Sequence, residues 1–480
     1  MIFQNVIQGI ESVISTFNTY VLAVIWANVN FFSPDSHIPL IVAVAFGFCV
    51  YFLFSLRFNA VTHFWQGIKL MLKTGGHGES KTTHSISPFR ALFTSISGAA
   101  GLGNIAGIAI GISLGGPGVV FWILVAAILC MPLRFAEVYL GHKYRVEKNG
   151  EFMGGPYWYI KQGFEKLKSP KLAKFFSAFY AISLIFAVYG GPTSFQTNQA
   201  VKVASDHFQF GDLGKYALSF AMAAVVFLVV IGGIKKVANY CSSAVMFFMS
   251  FYMIVLILAL IHYRAEIPAT INMIMLCAFN HSSLYGGVAV VLFTAFQRLQ
   301  LANETGFGSA AIIHSNSKQK DSVKEALVAM TCPVIDALFV CFITGLVICL
   351  GMTFTDKSVE GISMVQNALV KVHPILAYFL PIAIPLVALN VMIAWSYYGI
   401  KNLEFFAKTK KFSIPYLITI CIAAFAGGLI QNFQLIIDLC NSLMFLIFIP
   451  NIIIIFLMRK EINSAWKEYV LNNKYNEKKL

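Results

Sequence analysis

Residues 91–112 read ALFTSISGAAGLGNIAGIAIGI. The stretch is apolar and long enough to cross a bilayer, which takes about 20 helical residues. Yet Gly98, Gly101, Gly103 and Gly107 fall in its middle, with Ser95, Ser97 and Asn104 at similar depth. Small residues let helices approach closely, which accounts for Gly98, Ala99 and Ala106. It does not account for Asn104, because a buried amide needs partners. In Gly101-Leu102-Gly103-Asn104 two permissive glycines flank one bulky residue, which favours local unwinding. A helix broken at mid-membrane offers loose carbonyls to a cation and the N-terminal end of its second half to a carboxylate. The stretch reads as a solute and cation site, with close packing alone as the alternative.

The rest of the chain places this stretch in an all-α polytopic membrane protein. The 480 residues are 58% hydrophobic and 12% charged, with a mean hydropathy of +0.74. A soluble domain carries about twice that share of charge. The net charge of +14 would suggest nucleic acid in a soluble protein. Here it is explained by basic loops, so no nucleic-acid partner is expected. The partner is the lipid bilayer. The nine cysteines include no CxxC pair and read as small buried hydrophobes. No cleavable signal peptide is expected, since a basic n-region and a cleavage site are missing. Residues 12–30 are interrupted by Asn18, Asn28 and Asn30. They read as an interfacial or re-entrant helix, with a full span as the alternative.

Hydropathy predicts eleven spans: 41–57, 91–112, 118–140, 175–200, 216–231, 240–262, 284–302, 326–351, 374–399, 412–430 and 434–458. The short run at 216–231 is expected to extend into its flanks. With these spans Arg134 and Arg298 are intramembrane, and Lys202, Lys215, Arg264, Lys357 and Lys371 lie on one side. All other Lys and Arg fall on the opposite side, which the positive-inside rule makes cytoplasmic. The N-terminus is then outside and the C-terminus in the cytoplasm, as in a multi-pass protein of a prokaryotic plasma membrane. The predicted organisation has five parts. Residues 1–90 hold the interfacial helix, an extra transmembrane helix and a cytoplasmic loop. Residues 91–262 form a first five-helix unit. Residues 263–283 form an extracellular loop with a short surface helix. Residues 284–458 form a second five-helix unit, and 459–480 a basic cytoplasmic tail. Spans 91–112 and 284–302 run in opposite directions, as the first helices of an inverted repeat would. The second unit starts at Gly286-Gly287 and shows no comparable glycine run.

Other polar residues stand out against this background. Gln196-Thr197-Asn198 follows Gly190-Gly191-Pro192 and reads either as a Pro-kinked terminus or as amides facing a cavity. Asn303 and Glu304, followed by TGFGSAAIIHS, read as a capped loop or a gate. Arg298 is expected to pair with Glu304 or with another loop. Asp336 is the deepest acid, and an intramembrane acid is a functional candidate by default. Arg134 and Glu137, three apart, read as a local pair. Asp438 is expected near an outer, solvated boundary. Asn390 and Trp395 sit deep in span 374–399 and are candidates for lining a path. Phosphate-binding loops, metal-ligand clusters and nucleophile elbows are missing, so no enzyme and no cofactor are expected. The driving energy then comes from an ion gradient or from the solute itself.

Several ordered motifs make the chain resemble the alanine or glycine:cation symporter family. They are GLGNIAGIAIGISLGGPG at 101–118, GEFMGGPYWYI at 150–160, QTN at 196–198, GGIKK at 232–236, NETGFGSAAIIHS at 303–315 and WSYYG at 395–399. The resemblance implies a LeuT-like fold, with two inverted five-helix repeats after an extra N-terminal helix. It implies uptake of a small neutral amino acid, alanine or glycine, with sodium as the co-transported ion, by alternating access. It places substrate at Gly101, Gly103, Asn104, Gln196 and Trp395. It places the cation at Gly98, Gly101 and Asn390. Asn303, Glu304 and Asp336 become candidates for coupling or gating, and a monomer is the expected state. The chain departs from the family where FSTILGWSYYG becomes LNVMIAWSYYG. Asn390 stands for Ser, Val391 for Thr and Ala394 for Gly, and Leu102 stands where many members have Thr. Val391 matches Thr in volume but cannot ligate a cation. Proton coupling and a non-transporting receptor are the alternatives.

Overall fold

A computed structural model describes residues 9, 11–20, 28–29, 38–74, 86–99, 101–148, 151–279, 287–356, 359, 361–430 and 432–477. The GLGN stretch is broken as its glycines predict. Helix α2 (Pro88–Ala99) ends one turn short of α3 (Leu102–Gly115), and the two axes diverge by 47°. Gly101 caps α3 in extended backbone. Its carbonyl accepts from Asn104 N at 3.1 Å.

Before the break, α1 spans Leu40–Ser55. After it come α4 (Val119–Lys143), α5 (Pro170–Phe208), α6 (Asp212–Val230) and α7 (Gly233–His262). Helix α8 (Ile267–Phe279) leans on α4, where the Trp122 indole donates to Ala278 O at 2.9 Å. Next come α9 (Gly287–Asn303), the short α10 (Ser309–His314) and α11 (Ser322–Leu350). The chain closes with α12 (Phe379–Ala407), α13 (Ser413–Gly427), α14 (Phe433–Leu457) and α15 (Arg459–Glu477).

Seven of the described helices are long and apolar enough to cross a membrane, and the bent α2–α3 pair makes an eighth. The other three predicted spans form helices of 16, 17 and 15 residues, α1, α9 and α13. Helices α1 and α13 are shorter than the roughly 20 residues typical of a span, and α9 is described only from Gly287, because 280–286 lie outside the described residues. The run at 216–231 does extend, to Asp212. The single helix expected at 12–30 is not formed. Residues 11–20 are helical, and Asn28–Val29 instead pairs antiparallel with Ile38–Pro39. Asn18 is buried and donates to Leu435 O at 3.1 Å.

Two long helices carry a widened turn. In α5 it covers Gly190–Phe195, around Pro192. The missing N–H of Pro192 makes a wider turn easier to accommodate. In α11 it covers Ala337–Phe342, directly after Asp336. Such π-turns inside helices concentrate at functional sites. The core forms where α9 packs along α3 and α4, and where α12 packs along α5 and α7. On the predicted cytoplasmic side, Glu461 of α15 meets Lys143 at 2.9 Å, Lys166 at 3.3 Å and the Tyr144 hydroxyl. Burial raises the Glu461 carboxyl, but the hydrogen bonds from Lys143 and Tyr144 outweigh it and hold the group below its ordinary value.

Candidate functional site

The first break opens on a cavity of about 80 Å³. Drug-sized pockets are several times larger, about 300–1,000 Å³. A solute of amino-acid size is the natural occupant. Gly98, Gly103 and Gly107 form one wall, and Gln196 and Val391 stand beside them. Arg298 and Glu304 reach in from α9 and its C-terminal end, and Cys440 and Asn441 from α14. At the start of α3 the Leu102 N–H points at Gln196 Oε1, 3.4 Å away.

The glycines of the break are not equivalent. A Cβ on Gly101 would lie 2.4 Å from Val391 Cγ2 and 3.1 Å from Gln196 Nε2, so the approach of α12 and α5 requires its hydrogen. A Cβ on Gly107 would meet nothing within 4 Å. Gly101→Ala is expected to lower the initial uptake rate at least tenfold, the scale of about 1–3 kcal/mol for overpacking. Adding Val391→Ala should restore much of the loss. Rates in proteoliposomes check this, and a single variant as fast as the parent would refute the packing argument.

A second break lies at 304–308, between α9 and α10. Glu304, Gly306 and Gly308 all have positive φ, of 58°, 87° and 81°. Such backbone is strained for Glu and must be held by its surroundings. Here it is held on every side. The Glu137 carboxylate accepts from Gly306 N and Gly308 N at 3.0 and 3.2 Å. Arg134 pairs with Glu137 at 2.8 Å and donates to Asn303 O. Asn451 donates to Gly306 O at 2.7 Å and the Tyr180 hydroxyl to Phe307 O at 2.9 Å. Glu304 accepts from the Trp395 indole and from Ser309, each at 2.6 Å. Asn303 Oδ1 accepts from Thr305.

Several sequence expectations change here. Arg298 does not pair with Glu304, whose two oxygens accept from Trp395 and Ser309. Arg134 and Glu137 are a pair, but their larger task is to strap the second break. The second unit's break lies at Glu304–Gly308; Gly287 also has positive φ, of 84°, and Gly286 is outside the described residues. Asp438 is partly buried and accepts from Gln434 at 2.8 Å.

The predicted site residues divide into three groups. Gly98, Gly103, Gln196 and Glu304 line the cavity. Gly101 and Trp395 support it from behind, through Val391 and Glu304. Asn104 turns away and donates to Asp336 Oδ1. Asp336 Oδ2 and Asn104 Oδ1 are buried without a hydrogen-bond partner among the described residues. Asn390 Oδ1 is likewise buried and unpartnered. Asn303 belongs to the second break. Sequence reading missed Tyr180 and Asn451, and no local signal marks them.

Two broken helices meeting at a small cavity fit a secondary transporter. The chain belongs to the sodium:alanine symporter family, whose model matches residues 21–480. Membership makes it a sodium-coupled membrane symporter and not an enzyme. It is 30% identical to a "Probable sodium/glutamine symporter GlnT" of Bacillus subtilis (strain 168), over 91% of this chain and 88% of that one. It is 29% identical to the sodium/alanine symporter AgcS of Methanococcus maripaludis, over 90% and 94%. Among solved structures it resembles MhsT in complex with L-phenylalanine, with a TM-score of 0.55 over 78% of this chain and 89% of that one. At 15% identity that likeness concerns the fold alone.

Proposed function

We propose that the chain carries a small neutral amino acid together with sodium, by alternating access about the two breaks. The carrying observation is the pair of unfilled oxygens, Asp336 Oδ2 and Asn104 Oδ1, directly behind the break. Buried acceptors without donors are costly, and a bound cation satisfies both at once. The carboxylate of the solute meets the start of α3, where the helix dipole favours negative charge. Gln196 and Glu304 shape the cavity around the rest, and Trp395 holds Glu304 in place. The relatives named for glutamine and alanine support a neutral amino acid as cargo.

The alternative cation site at Gly98, Gly101 and Asn390 is less well furnished. The Gly101 carbonyl is engaged by Asn104 N, and the α12 atom facing Gly101 is a Val391 methyl. The decisive experiment is uptake of labelled alanine and glutamine into proteoliposomes, with and without a sodium gradient at fixed pH and voltage. Concentrative uptake only with the gradient is expected. Equal uptake in both conditions removes sodium coupling. A proton gradient that replaces sodium moves the coupling role to Asp336 as a proton carrier.

The two breaks open α2–α3 and α9–α10, the first helices of the two five-helix units, which supports a LeuT-like inverted repeat with α1 as the extra N-terminal helix. The distribution of basic residues supports an outside N-terminus and a cytoplasmic C-terminus in a prokaryotic plasma membrane. Cysteines introduced at Ser36 and Lys474 should then label from opposite sides with an impermeant reagent. Same-side labelling would overturn that orientation.

A further inference from the structure

Arg145 lies just before the GEFMGGPYWYI stretch at 150–160 and grips the segment that follows α10. Its Nη1 donates to Ser315 O and Ser317 O at 2.9 and 2.6 Å, and its Nη2 to Gln319 O at 3.0 Å. The guanidinium also lies 4.0 Å from the centre of the Phe152 ring. Such charge-assisted hydrogen bonds are roughly twice as strong as neutral ones, and the planar fork fixes their direction. The same segment pairs with Ile86. Ile86 N donates to Asn316 O at 3.0 Å, and Lys318 N to Ile86 O at 2.8 Å. They form an isolated parallel bridge between Ile86 and Ser317. Arg145 and Ile86 between them take the carbonyls of Ser315, Asn316, Ser317 and Gln319. Two further contacts fix the segment. Glu325 of α11 accepts from the Ser317 hydroxyl at 2.8 Å, and a Cβ on Gly154 would strike Ser315.

This bridge ties the two broken helices together at one end. Helix α2 begins two residues after Ile86 and runs to the cavity wall at Gly98. Helix α10 runs from the second break to the bridged segment and lies against α2. In the orientation that the basic residues support, both are the cytoplasmic halves of their broken helices. Cargo leaves inward only when α2 and α10 part. A bridge of a single residue pair opens without unwinding either helix. Its persistence therefore depends on what holds 315–319 in register, and Arg145 is the charged group that does so. We propose that Arg145 is a positioning residue for transport: it presents 315–319 to Ile86 and thereby sets how readily the cavity opens to the cytoplasm. The proposal rests on the alternating-access and orientation readings above.

Cys440, in the cavity wall, reports on that opening. An impermeant maleimide is added to inside-out and to right-side-out membrane vesicles, and alkylation of Cys440 is read by mass spectrometry. Arg145→Ala should speed alkylation from the cytoplasmic face at least about tenfold, the value of one hydrogen bond to a charged group. It should not speed alkylation from the outer face. Arg145→Lys keeps the charge but not the fork, and should fall between. If Arg145 served folding alone, its loss would speed alkylation from both faces or from neither, and either result overturns the proposal. If Arg145→Ala does not insert, the double variant Ile86→Cys, Ser317→Cys decides. Oxidised to a disulfide, it should stop uptake of labelled alanine, and reduction should restore it. Undiminished uptake by the oxidised protein overturns the proposal. Alkylation needs no transport, so a parent without sodium-driven uptake would remove the symport reading while the sidedness of alkylation still tests the gate.

Discussion

Asp336→Asn is expected to lower the apparent sodium affinity of transport at least about 100-fold. The substitution keeps the shape of the side chain and an acceptor for Asn104, so the protein should still insert. It removes the charge that a desolvated cation needs, and losing one charged partner of a buried pair costs about 3–5 kcal/mol. The effect should appear as a rightward shift of the sodium dependence of uptake, with the maximal rate recovered only at very high salt or not at all. An unchanged sodium dependence would remove Asp336 from the cation site. Asn104→Ala should act in the same direction with a smaller effect, because it withdraws one neutral oxygen.

Glu137→Ala should be the most destabilising single change in the protein. It leaves Arg134 buried without its partner and frees the Gly306 and Gly308 N–H groups in a segment of positive φ. Stranding a buried charge costs about 3–5 kcal/mol, and each unsatisfied N–H adds about 1–3 kcal/mol. Thermal unfolding in detergent should show a large drop in midpoint. Glu137→Gln should fall between, since its carbonyl can still accept from the glycines but cannot neutralise Arg134. A Glu137→Ala protein as stable as the parent would mean that the second break needs no strap.

The first break was legible because its signals are local. Gly101, Leu102, Gly103 and Asn104 are consecutive, and glycine permissiveness plus a stranded amide can be read from four letters. The second break was not, although its glycines are also close together. Asn303-Glu304-Thr305-Gly306 looks like an ordinary capped loop, and only Glu137, 169 residues away from Gly306, shows that the segment is buried. Arg134 and Glu137 were legible as a pair but not as a strap, since a spacing of three says nothing about a third element. Asp336 and Asn104 were each singled out as polar residues in apolar surroundings. Their partnership spans 232 residues, which no local signal reveals.

Gly107 gives the cavity wall an unusual property. Packing forbids a side chain at Gly101, whereas at Gly107 nothing in the protein occupies the space where one would stand. The volume next to Gly107 is part of the cavity. One methyl at that position would resize the compartment without disturbing a helix contact, so descendants of this sequence could trade one cargo size for another through a single codon.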